Sequence, residues 1–314
     1  MSILVTGGAG FIGSYLVEEL VRRGYAVRIL DNLSTGRVEN LREVPEGSYE
    51  LYVGDLLDPY DVREALEGCS TVYHFAANPE VRVGYQRPQL DFEENILATK
   101  VLLEEARRQG IELLVFASSS TVYGEPTQIP TPESYGPLKP ISSYGASKLA
   151  CEAMISAYSH YYGFKAVILR LANIIGGRSR HGVIYDFIMK LKRDPRRLEV
   201  LGDGTQRKSY LHVSDCVSAV LAAAEHCSEG VEVYNVGSRD WVSVLEIARI
   251  VIEEMELSDV RIELTGGVMG GRGWPGDVKL MLLSTEKLES LGWKPRLSSR
   301  EAVREACREL LGEL

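Results

Sequence analysis

Tyr144 and Lys148 stand four residues apart in the stretch Tyr144-Gly145-Ala146-Ser147-Lys148. On a helix that spacing puts both side chains on one face. A lysine ammonium beside a phenol favours the phenolate and lowers the tyrosine pKa from about 10 toward working pH. A tyrosine tuned in this way can act as general base toward a hydroxyl. Upstream, Phe116-Ala117-Ser118-Ser119-Ser120-Thr121-Val122-Tyr123-Gly124 offers Ser119 to hold such a hydroxyl in line and Thr121 as a second donor. Taken alone, Tyr-x-x-x-Lys is also what an ordinary amphipathic helix face shows. The weight of the pattern rests on its surroundings.

The surroundings begin at the N-terminus. Thr6-Gly7-Gly8-Ala9-Gly10-Phe11-Ile12-Gly13 follows a β-rich run and opens a helical one, with Gly7, Gly10 and Gly13 in a G-x-x-G-x-x-G pattern. Glycines there permit a tight strand-to-helix turn and close backbone approach to a pyrophosphate. The N–H groups at Phe11, Ile12 and Gly13 and the helix dipole favour negative charge. A plain tight turn is the alternative, and the strand-before, helix-after context disfavours it. Asp31 ends the next strand, where a carboxylate can accept both ribose hydroxyls of an adenosine and repel a 2′-phosphate, so NAD is favoured over NADP. Asp31-Asn32 also reads as a loop start. Asn32, Ser34, Thr35 and Gly36 are expected to line the same pocket. Asp55-Leu56 ends the third strand, where an adenine can lie, or where an aspartate simply closes a strand. His74-Phe75-Ala76-Ala77 ends the fourth with small residues that let a cofactor lie close, and Ser118 is expected on the same wall.

The elements that must position these residues alternate. Strands are predicted at Ile3–Thr6, Ala26–Asp31, Tyr49–Asp55, Thr71–Phe75, Glu112–Ser118 and Ala166–Leu171. Helices are predicted at Phe11–Arg23, Pro59–Gly68, Leu90–Gln109 and Ser142–Tyr162. Repeated β-α-β units imply an α/β, doubly wound parallel sheet of Rossmann type, with ligands at the C-terminal edge of the strands. The second half is less regular. Helices are predicted at Val183–Lys192, Ser214–Glu225, Val244–Met255 and Ser299–Leu311, with strands at Val231–Val236 and Val260–Leu264. The pattern predicts residues 1–172 as the dinucleotide-binding domain and 173–314 as a smaller mixed α/β substrate domain. Segments near 205–240 can return to the first.

Composition excludes several classes. The net charge is −9, a poor match for nonspecific nucleic-acid binding. Five scattered cysteines without a C-x-x-C pair argue against a disulfide framework or zinc site and for a reducing compartment. Five histidines (His74, His160, His181, His212, His226) show no ligand spacing, so no metal is expected. His181 lies in a loop that can approach a substrate. No run is long and apolar enough to span a bilayer, no signal-peptide layout opens the chain, and a cytoplasmic location is expected.

Together these motifs resemble the extended short-chain dehydrogenase/reductases, most closely the UDP-glucose 4-epimerases, almost end to end. Leu169-Arg170-Leu171-Ala172-Asn173, Gly202-Asp203-Gly204 with Tyr210-Leu211-His212-Val213, and Gly276-Asp277-Val278 resemble the later family segments. The resemblance implies a UDP-sugar substrate. Tyr144 would take the proton from the sugar 4-hydroxyl while hydride passes from C4 to NAD. The 4-keto sugar would then turn over, and the hydride return to its other face. Lys148 and Ser119 would support Tyr144, Asn95 would place the active-site helix beside the cofactor, and Asn173 would contact the diphosphate. Two departures stand out. Lys208 falls where many relatives carry arginine, with Arg207 beside it, and Trp274 falls where an arginine is common, with Arg272 two residues earlier. Lys208 and Arg272 are the expected diphosphate contacts, although lysine lacks the bidentate fork of arginine. A 4,6-dehydratase or decarboxylase would carry an acid near Ser120 and Thr121, where this chain has none. A UDP-glucuronate 4-epimerase needs one more cationic contact, for which Arg82, Arg178 and Arg180 are available. A non-catalytic NAD-binding sensor is the reading from another class, and the intact Ser119, Tyr144 and Lys148 argue against it. Met281 borders the expected sugar pocket. Family resemblance of the helices Leu90–Gln109 and Ser142–Tyr162 implies a homodimer, while Leu97, Val101 and Met154 on them can also simply pack on the sheet.

Overall fold

The computed structural model describes residues 2–314. Alternation along the first strand, β1 (Ser2–Thr6), sets up the central layers. Ile3 and Val5 face one side and Leu4 the other, and each joins a separate buried cluster. The same alternation recurs in β2 (Ala26–Asp31), β3 (Tyr49–Val53), β4 (Cys69–His74), β5 (Leu113–Ser119) and β6 (Lys165–Leu171). A last strand from late in the chain, β7 (Val231–Val236), pairs in parallel with β6. All pairings in this seven-stranded sheet are parallel, in the order β7-β6-β5-β4-β1-β2-β3. The order reverses between β1 and β4, so the loops after those strands diverge and open a crevice.

One face is covered by α1 (Phe11–Arg22), which buries Leu16, Val17 and Leu20 at helical spacing, and the other by α2 (Pro59–Leu66), α3 (Ala98–Gln109) and α4 (Ser143–Tyr162). Ser142 caps α4, its hydroxyl accepting the Gly145 N–H at 3.0 Å, and left-handed Gly163 (φ 77°) closes it. The single helix predicted over Leu90–Gln109 is interrupted. A short helix, Pro88–Asp91, passes into a wide π-helical turn, Phe92–Leu97, before α3 begins.

Beyond β6, α5 (Val183–Arg193), α7 (Val244–Glu254) and α8 (Ser299–Glu313) enclose a third cluster that includes Ile188, Val200, Ile250 and Leu310. Meanwhile α6 (Val213–Glu225) packs back against α1. Short strand pairs complete this region. Asn173–Ile175 runs parallel to Tyr210–His212, and Arg207–Lys208 lies between Val242–Ser243 and Leu280–Met281. Arg261–Leu264, expected from Val260 on, pairs with Arg197–Val200. All five cysteines are buried free thiols.

Candidate active site

A cleft of about 730 Å³ runs along the C-terminal edge of the sheet and into the space beneath the second region. Its floor at one end is the glycine turn. Gly7 adopts a left-handed backbone (φ 69°), and a Cβ there would sit 2.7 Å from the Ala76 nitrogen; a Cβ on Gly13 would sit 2.1 Å from the Gly7 carbonyl oxygen. Glycine at both positions is what lets α1 begin beside β4. No side chain caps the start of α1 at Gly10, so its first N–H groups remain free for an anion. The buried Asp31 carboxylate accepts the N–H groups of Ala9 and Leu33, each at 2.9 Å. A carboxylate has lone pairs beyond these two bonds, enough to receive vicinal hydroxyls. Free N–H groups and a spare carboxylate edge, set along one cleft, fit a dinucleotide.

Gly7, Gly10, Phe11, Ile12, Gly13, Asp31, Asn32, Ser34, Thr35, Gly36, Asp55, Leu56, Phe75, Ala76, Ala77 and Ser118 all line this cleft. Asn32 reaches Asp55 across the rim at 3.3 Å. Asn95 lies beneath the wall rather than on it. Its side-chain Oδ1 accepts the Asn78 N–H at 3.0 Å, and its side-chain Nδ2 donates to the Ser147 hydroxyl at 2.8 Å. It therefore anchors α4 through Ser147, three residues from Tyr144, and the π turn is what carries it there.

Ser119, Thr121, Tyr144 and Lys148 converge on the cleft wall where β5 ends and α4 begins. The Thr121 hydroxyl donates to Ser119 Oγ at 2.9 Å and its N–H to the same oxygen at 3.2 Å, so Thr121 orients Ser119. Lys148 Nζ donates to the Ala117 carbonyl at 2.8 Å and lies 4.8 Å from the Phe116 ring centre and 5.8 Å from that of Tyr144. This corrects the simplest expectation from the spacing. Burial pushes the Tyr144 phenol up, Asp91 adds to the rise, and the hydrogen bond with Ser119 opposes it. Burial also lowers Lys148 to about 8. In the free protein desolvation outweighs the ammonium, which is aimed at a carbonyl and faces the tyrosine ring.

Two buried networks that spacing alone did not reveal hold this wall. Glu152 pairs with Arg170 at 2.7 Å and accepts the Ser118 hydroxyl at 2.5 Å, while Arg170 also donates to the Tyr123 hydroxyl at 3.0 Å. The visible signal was an arginine inside the apolar run Ala166–Leu171. Asp91 accepts the Ser143 hydroxyl at 2.5 Å and the Asn78 amide at 3.0 Å, fixing the residue next to Tyr144.

At the far end, Asn173 lines the cleft and donates to the Ser209 carbonyl at 3.0 Å. Lys208 lines it too, paired with Asp277 at 2.5 Å and 5.3 Å from the Trp274 ring centre. Arg207, on the opposite side of its two-residue strand, does not. Arg272, expected at the diphosphate, is not on the wall. Its guanidinium donates to Glu125 and to the Met269 carbonyl. The Val268–Arg272 bridge, closed through left-handed Gly270 and Gly271, turns it outward. His181 and Met281 are wall residues. Arg180 Nη1, Gln206 Oε1 and Trp274 Nε1 are buried on these walls without a partner in the protein. Among the described residues no cluster could hold a metal ion, and no helix is long and apolar enough to cross a membrane.

A parallel sheet with this strand order, a glycine turn over an acidic strand end, and a serine–tyrosine–lysine wall define a dinucleotide-dependent enzyme class. Residues 3–237 match the model of the NAD dependent epimerase/dehydratase family, and the chain belongs to that family. It is 36% identical over 308 residues to a putative UDP-glucose 4-epimerase of Methanocaldococcus jannaschii, covering 96% of each chain. Among solved structures it superimposes on a UDP-galactose 4-epimerase at a TM-score of 0.88 with 48% identity, and on the UDP-glucose 4-epimerase of Thermus thermophilus in complex with NAD at 0.87 with 36% identity. Both matches cover 100% of each chain.

Proposed function

We propose that this protein interconverts UDP-glucose and UDP-galactose by epimerising C4, with NAD as resident cofactor. The observation that carries the reading is one continuous cleft. The glycine turn and Asp31 stand at one end, Lys208 and Asn173 at the other, and Ser119, Tyr144 and Lys148 stand between them. When bound, NAD supplies a hydride acceptor and donor and a ring charge that favours the phenolate. Tyr144 then takes the proton of the 4-hydroxyl and later returns it. Ser119, fixed by Thr121, holds that hydroxyl in line. Lys148, fixed by Ala117, keeps a cation under the tyrosine ring. Lys208 and Asn173 hold the diphosphate while the sugar turns between them and the phenol. Residues 1–172, with Val213–Glu225 and Val231–Val236 returning to their sheet, serve the dinucleotide, and the rest of 173–314 the sugar nucleotide. We infer a homodimer through α3 and α4, supported by the exposed Leu97, Tyr161 and Tyr162 beside or on them, and a cytoplasmic setting, supported by the free thiols.

The test is incubation of the purified protein with UDP-galactose and UDP-glucose, products read by NMR. Both sugars should reach the same equilibrium mixture. Tyr144→Phe should keep NAD bound and lose nearly all turnover; near-normal activity in that variant would contradict the assigned role. Sedimentation showing only monomer at working concentration would refute the dimer.

A further inference from the structure

Arg82, Arg178, Arg180 and Lys208 on the cleft wall are each paired with a carboxylate of the same chain, although Arg180 keeps its Nη1 unpartnered. Arg178 pairs with Glu18 at 2.8 Å, Arg180 with Glu313 at 2.9 Å, and Lys208 with Asp277 at 2.5 Å. Arg82 is held most completely. Its Nε and Nη2 donate to the two oxygens of Glu80 at 2.9 and 2.8 Å, its Nη1 donates to Asp186 at 3.0 Å, and its guanidinium carbon lies 5.8 Å from the Trp274 ring centre. Glu80 comes from the loop after β4 and Asp186 from α5, so the pair grips Arg82 from both sides of the cleft.

The position of this cluster follows from the hydrogen bonds beneath it. Asn78, two residues before Glu80, donates to Asp91, and Asp91 holds Ser143, the neighbour of Tyr144. Arg82 also shares the Trp274 ring with Lys208, so the cluster stands on the stretch of wall between the Lys208 end and the Ser143–Tyr144 corner, along which the sugar must lie. C6 is two bonds from C4, so with the 4-hydroxyl at Tyr144 the C6 substituent comes within reach of this stretch of wall. Two carboxylates against one guanidinium leave one net negative charge there. His181 adds none, because burial holds its imidazole below the usual histidine range. A hydroxymethyl group can donate to Glu80 or Asp186. A uronate carboxylate would face both and would have to displace one of them from Arg82.

We propose that Glu80 and Asp186 are specificity-determining residues: by occupying Arg82 they make this cleft a site for neutral hexoses and exclude uronates. The proposal rests on the epimerase reading above. The experiment compares kcat/KM for UDP-galactose and UDP-glucuronate in the wild-type protein, in Glu80→Gln and Asp186→Asn singly and together, and in the double variant with Arg82→Leu added. Wild type should act on the hexose and discriminate strongly against the uronate. The double variant should raise the uronate-to-hexose ratio by about tenfold or more, the order of one charge-assisted hydrogen bond gained, and Arg82→Leu should remove that gain. Each single variant should move the ratio in the same direction, so the test does not depend on the double variant folding. Wild-type protein that turns over the uronate as readily as the hexose overturns the proposal. So does a ratio unmoved in all the variants while hexose turnover persists. Failure of the wild type to act on either sugar overturns the epimerase reading, and the proposal with it.

Discussion

Lys148 weakens the fold it serves. Its side chain is 3% exposed, and no carboxylate bonds its ammonium; the partners are the Ala117 carbonyl and the Phe116 face. Burial lowers its pKa from 10.5 to about 8. Between those two values the unfolded chain binds the extra proton, so stability rises with pH across that window. At about 1.4 kcal/mol per unit, the penalty is roughly 3 kcal/mol at pH 7 and about 1 kcal/mol at pH 10. Lys148→Met removes the titration and keeps the apolar bulk. Urea unfolding of both proteins, freed of nucleotide, at pH 7 and pH 10 reads the difference directly, because groups shared by both proteins cancel. The stability of the wild type relative to Lys148→Met should improve by roughly 2 kcal/mol on going from pH 7 to pH 10. The variant should be inactive throughout. A gap that does not change with pH would refute the claim that the lysine is desolvated and charged in the folded protein.

Arg170→Leu strands the buried Glu152 carboxylate and should cost about 3–5 kcal/mol, read as a lower urea midpoint; a loss below about 1 kcal/mol would show that the pair is dispensable. Gly13→Ala puts a methyl 2.1 Å from the Gly7 carbonyl oxygen and should leave purified protein with little bound NAD, measured by absorbance after denaturation; full occupancy would refute the turn argument. Lys208→Met should raise KM for the UDP-sugar about tenfold with kcat largely kept. Arg272→Ala should change it by less than about twofold, because its guanidinium is held by Glu125 and the Met269 carbonyl off the cleft wall. The opposite ranking would show that the 268–272 turn opens to bring Arg272 inward.

The main frame was legible because its signals are strong and local. The apolar run Ile3-Leu4-Val5 ahead of the glycines read as a strand, and the sheet buries it on both faces. Ser142 and Gly163 bracketed α4, and three glycines at the first turn located the phosphate end of the cleft. Tyr144, Lys148, Ser119 and Thr121 were legible as a set. What they do to one another was not, since spacing shows that Lys148 shares a face with Tyr144 but not that its ammonium turns to Ala117. The strands Arg207–Lys208 and Leu280–Met281 are two residues long, too short to alternate. The π turn at Phe92–Leu97 shifts the helical phase without any glycine or proline inside it. Arg272 looked like a ligand because of its place in the chain, and a turn built on Gly270 and Gly271 sent it elsewhere. Arg170 and Glu152 are separated by a strand boundary, and only the sheet brings them together.

The position of Val231–Val236 imposes an order on synthesis. Until residue 236 has left the ribosome, the strand Lys165–Leu171 has no neighbour on its outer side, and Ala166 and Ala172 lack the carbonyls of Gly230 and Val236 that they later bond. Nor are Val167 and Leu169 yet covered by Cys216, Val217 and Val220. A nascent or truncated chain that stops at residue 172 carries every residue of the phosphate turn and of the tyrosine–lysine pair, yet it presents an open apolar strand edge, which is a template for aggregation. Expression of the first 172 residues alone is therefore a route to inclusion bodies rather than to a minimal NAD-binding unit.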